Sequence, residues 1–151
     1  MSDVEEGRFT VGVFQDTAWA AKGLASLKQA GFPVDSLTII AKESPETGAL
    51  VELHCGGGAQ RLELPAVGAV VARGPLLDAL GSTADLQKLG LSGSMRRVGF
   101  QAHDGRIFEA LTGRGGVLVA VRSEPRAADA LAILHSYGGG NAAIGAWTGR
   151  L

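Results

Sequence analysis

The two ends of the chain resemble each other. Val11 to Ile40 aligns without a gap to Leu118 to Trp147. Ala20, Ala21, Leu24, Ala25, Leu27 and Gly31 fall on Ala127, Ala128, Leu131, Ala132, Leu134 and Gly138. Each copy reads strand, helix, strand. In the first copy Asp16 is an N-cap candidate, and Ala20, Leu24, Leu27 and Ala30 form one helical stripe. Gly31 then ends the helix, because glycine enters the left-handed region at little cost. "SLTIIA" follows as a strand. In the second copy Ser123 is the N-cap candidate and Pro125 sits just inside the helix. Gly138 ends it, and "AAIGAW" follows.

Two βαβ units in 151 residues predict one α+β domain with a ferredoxin-like arrangement, an antiparallel sheet with two helices on one face. The first unit spans 9–42, an insertion spans 43–115, and the second unit spans 116–148. The leading strands, "FTVGVF" and "GVLVAV", are apolar on both faces. A sheet with one wet face alternates apolar with polar. The face without the repeat's helices therefore needs a cover, either from the insertion or from a second subunit.

The insertion opens with "ALVELHCGGGAQRLEL". Leu50, Glu52 and His54 alternate with Val51, Leu53 and Cys55, and beyond the glycines Leu62 and Leu64 alternate with Arg61 and Glu63. This predicts a hairpin of two strands joined by the glycine run. "LPAVGAVVARGPLLDALG" follows, apolar but broken by Pro65, Gly68, Arg73, Gly74, Pro75 and Asp78. A membrane-spanning helix needs roughly 20 unbroken apolar residues. The stretch therefore reads as a short buried strand, "VGAVVA", and a short helix with Pro75 in its first turn and Gly81 past its end. A helix beginning near Ser82 and a helix carrying Ile107, Phe108 and Leu111 complete the insertion.

These motifs, in this order, resemble the bacterial general stress protein 17M-like (YflT-like) family. The likeness rests on "VGVF…A…L…AGF…D…I", on "LPAVGAVVARGPLLDALG", and on "IFEALTGRGGVLVAV" before the closing unit. It covers nearly the whole chain. It implies an association with stress responses and carries over no catalytic residues. The acidic run that the family places before its Tyr-Glu, here Phe108-Glu109, is replaced by "QAHDGR".

Candidate chemistry is sparse. His54 and Cys55, neighbours on an expected strand, would point to opposite faces, and no CxxC or HxxxH spacing completes a metal site. His103-Asp104 has the composition of a catalytic pair, but a solvated helix start accounts for it. His135 suits the last turn of a helix. "GRGG" at 113–116 precedes a strand, whereas a phosphate-cradling glycine loop precedes a helix, so it reads as a tight turn, as does "GGG" at 138–140. "GLSGS" lacks a hydrolase elbow's spacing, and "MRR" with Arg106 reads as solvated charge.

The net charge of −1 gives nucleic-acid binding no electrostatic support. A single cysteine excludes an internal disulfide, and the acidic start "MSDVEEGRF" is unlike a signal peptide, so a cytoplasmic location is expected. No cofactor, metal or transmembrane span is expected, while peripheral membrane contact stays open. The resulting expectation is a non-enzymatic homo-oligomer of stress-response type, with Val70, Leu76, Leu77 and Leu80 as candidate interface residues. The alternative is a small-ligand-binding regulatory module with a pocket between the sheet and residues 64–80.

Overall fold

A computed structural model describes residues 9–56, 58–97, 100–122 and 127–136, apart from the side chains of Ala127, Leu131, His135 and Ser136. The elements run β1 (Phe9–Phe14), α1 (Thr17–Gln29), β2 (Leu37–Lys42), α2 (Pro45–Cys55), β3 (Gln60–Leu64), β4 (Gly68–Arg73), α3 (Pro75–Leu80), α4 (Thr83–Arg97), α5 (Ala102–Gly113), β5 (Val117–Arg122) and α6 (Ala127–Ser136). The five strands form one antiparallel sheet in the order β1-β5-β2-β4-β3.

The leading strands of the two repeat units are neighbours, with Val13 opposite Leu118 and Val11 opposite Ala120. The Asp16 side chain caps α1 by accepting from the Trp19 N–H at 2.9 Å. Ala20, Leu24 and Leu27 are buried, and Gly31 takes φ 97° after the helix. In the second unit Ala130 and Leu134 are buried. Ser123, Pro125, Gly138, the glycine run at 138–140 and the expected strand "AAIGAW" lie outside the described residues, as does the side chain of Leu131.

Along β1, β5 and β2 both sheet faces are dry up to the strand ends at Lys42 and Arg122. On one, Phe14, Leu37, Ile39, Val117, Val119 and Val121 pack against Leu24 and Leu27 of α1, Leu50 and Val51 of α2, and Leu134 of α6. On the other, Val11, Val13, Ile40, Val70, Leu118 and Ala120 pack against Leu76, Leu77 and Leu80 of α3, Leu91 and Met95 of α4, and Phe108 of α5. The insertion thus supplies the second cover. Val70, Leu76 and Leu80 are fully buried and Leu77 nearly so, all inside the chain's own core. None of the four offers its side chain to a second subunit, so the surface expected there is absent for a packing reason.

The hairpin expected across the glycine run is corrected. Leu50 to Cys55 belongs to α2. The Ser44 hydroxyl accepts from the Thr47 N–H at 3.0 Å, Pro45 opens the helix, and Gly56 closes it at φ 77°. The buried set, Thr47, Leu50, Val51, His54 and Cys55, is a helical stripe. The hairpin instead joins β3 to β4 across Pro65–Val67, and β4 extends the sheet beside β2. The tight turn expected at 113–116 is present, with the Gly116 N–H donating to the Leu111 carbonyl at 2.9 Å. Within the "GLSGS" run α4 kinks at Gly90, and Glu109 of α5 accepts from the Ser92 N–H at 3.1 Å just beyond the kink.

Leu24→Ala should cost about 2–5 kcal/mol and Phe108→Ala about 3–5 kcal/mol in urea denaturation, since each leaves a hole on a different face of the sheet. A loss near zero at either residue would contradict the burial of that face.

Candidate functional site

The β4-to-α3 turn is pressed onto β2. Gly74 holds φ 130°, and a Cβ there would collide with the Leu37 carbonyl and with Thr38. The buried Thr38 hydroxyl accepts from the Leu76 N–H at 3.0 Å, which fixes the start of α3 against the strand. Just before the turn, Arg73 lies opposite Ile39 in the sheet. Its Nε donates to the Cys55 carbonyl at 3.2 Å and so caps the end of α2. Just before β2, the Ser36 hydroxyl donates to the Pro33 carbonyl at 2.6 Å, within a short turn that leaves Asp35 exposed.

These elements enclose a cleft of about 270 Å³. Asp35, Asp78 and Gln60 stand around it with Arg73, while Leu37, Leu77 and Cys55 supply apolar wall. It lies between the start of β2 and residues 73–78, within the region named for the ligand-binding alternative. Arg73 carries no ion pair among the described residues beyond its bond to the α2 terminus. A larger, open groove of about 970 Å³ runs past Lys42, Arg61 and Val71. Its cations are engaged: Lys42 donates to the Gly113 carbonyl at 3.0 Å, and Arg61 pairs with Glu43.

Of the histidines and the cysteine singled out from sequence whose side chains are described, only Cys55 lines the smaller cleft. Burial pushes its thiol pKa up, with Arg73 and then Lys28 pulling the other way. The thiol is therefore held protonated, a poor nucleophile. His54 is buried beside α1, its Nδ1 3.4 Å from the Lys28 ammonium. An ammonium has no acceptor, so Nδ1 accepts and the ring proton sits on Nε2. Nε2 is buried without a hydrogen-bond partner among the described residues.

His103 and Asp104 open α5, away from the cleft lining. His103 is exposed, but Asp104 is buried, which corrects the solvated helix start expected for the pair. Burial raises the Asp104 pKa, and His103 opposes the rise. Met95 of the "MRR" run is core, while Arg97 donates to the Leu80 carbonyl and lies 3.6 Å from Asp85. The backbone of His135 lies in α6. Among the described residues no group of three or more His, Cys, Asp or Glu side chains could hold a metal ion, and no helix is long and apolar enough to cross a membrane. No protein-family model, curated protein or solved structure matches this chain.

Burial, and then Lys28, lower the His54 pKa from 6.5. The unfolded chain therefore takes up this proton first as pH falls. Stability is complete above pH 6.5 and is lost progressively below it, toward the folded value. Urea denaturation between neutral and mildly acidic pH should show that loss, and His54→Gln should flatten it. Equal slopes in both proteins would exclude His54 as the cause. Cys55 should react slowly with an aromatic disulfide reagent in the native protein and fast in denaturant. Rapid native labelling would contradict its burial and its protonated state.

Proposed function

We propose that this chain is a non-enzymatic binding module for a small polar ligand, held in the cleft between the start of β2 and residues 73–78. The observation that carries the reading is Arg73, a half-buried cation with no ion pair among the described residues, set at the end of β4 in a cleft that two carboxylates also line. Arginine presents its donors as a planar fork that matches carboxylate or phosphate. Asp35 and Asp78 favour a ligand that also carries a hydrogen-bond donor or a positive group. The protonated Cys55 supports recognition over covalent chemistry at this place.

The strand order β1-β5-β2, with α1 and α6 on one face, supports a ferredoxin-like core to which the insertion adds β4, β3 and a second helical layer. The stress-response association is supported by the resemblance in motif order. In this reading, the cleft is where such a protein senses a metabolite.

Native mass spectrometry of the protein purified from its own host should show a retained small mass. Thermal unfolding with glycine, acetate and inorganic phosphate as probes should then show stabilisation by at least one of them. A ligand at a hundredfold its Kd adds about 2.7 kcal/mol. Arg73→Gln should abolish that stabilisation while leaving the circular dichroism spectrum unchanged. No retained mass, together with no stabilisation by any probe, would refute the binding reading.

A further inference from the structure

We propose that β3 is a pairing edge for a second copy of this chain, joined antiparallel about a twofold axis at Leu62. The inference is independent of the cleft. β3 is the last strand on its side of the sheet among the described residues, and only one of its edges is taken, by β4. Its register is fixed from within: Leu62 and Leu64 are buried in the core, opposite Val70 and Gly68. Period-two alternation then sends Arg61 and Glu63 together to the other face, where both are exposed.

Natural edge strands avoid unwanted pairing by carrying charge that repels a second strand. This edge carries one charge of each sign, two residues apart. In an antiparallel pair centred on Leu62, Arg61 of each copy faces Glu63 of the other, giving two cross-strand ion pairs. Centring the pair on Arg61 or on Glu63 places like charges opposite each other. The charge pattern thus selects one register. Arg61 already pairs with Glu43 of its own chain, but a guanidinium has five donors and serves two carboxylates. The contact is the same patch on both copies, so it consumes both edges and closes at two.

Sedimentation of the full chain over a concentration series is the test. The unmutated protein should approach twice the chain mass. Arg61→Glu alone and Glu63→Arg alone should each weaken the dimer by at least about tenfold, because both pairs become like-charged. An equimolar mixture of the two variants should regain the dimer, since each supplies the charge the other lacks. The double variant carrying both reversals should also dimerise, which separates lost pairing from lost folding. A chain that stays monomeric at millimolar concentration would overturn the proposal. So would single variants that dimerise like the parent, a mixture that stays monomeric, or open-ended growth beyond two copies.

Discussion

The structure depends on β5 being apolar on both of its faces. Leu118 and Ala120 look one way and Val117, Val119 and Val121 look the other, all fully or almost fully buried. Such a strand cannot sit in a sheet with a wet side, because one alternate set would face water. It needs helices above and below. The repeat's helices, joined by α2 from the insertion, furnish one layer, and the rest of the insertion furnishes the other with α3, α4 and α5. The Gly- and Pro-broken stretch from Leu64 to Leu80 follows from the same demand. Its apolar content fills a second core, while its breaks let the chain turn from β3 to β4 to α3 within a short span.

Much of this was legible. The ungapped repeat named both leading strands and their helices, and the caps at Asp16 and Gly31 marked real ends. The face assignments along β1 and β5 follow from simple alternation. The failure at Leu50–Cys55 has a clear physical source. That segment fits both a two-residue and a 3.6-residue period, and Leu53, which is 73% exposed, completes the strand pattern without serving the core. The decisive signs were Ser44 and Pro45 ahead of the run and Gly56 behind it, which are helix punctuation.

The candidate cleft was legible only as a region. Asp35 comes from a segment far along the chain from Arg73 and Asp78, and no spacing in the sequence joins it to them. What joins them is the pairing of β2 with β4, which sets Ile39 opposite Arg73, and the turn at Gly74 that lies on Thr38. Val70, Leu76, Leu77 and Leu80 illustrate the reverse problem. An apolar run announces burial but not the partner that buries it, and here the partner is the chain itself.

The order β1-β5-β2 also governs how the molecule can assemble in time. Among the described residues β5 is the last strand along the chain, yet it occupies the slot between the first two. Phe9 waits for Arg122, and Leu37 waits for Val121. Synthesis proceeds from the N-terminus, so a nascent chain that lacks Val117–Arg122 has β1 and β2 with an empty lane between them. The α1 helix and the β3–β4 hairpin can form early, since their contacts are local. Closure of the sheet is a late, long-range insertion, the kind of step that slows folding. Until it occurs, the open edges of β1 and β2 are exposed to any other strand nearby.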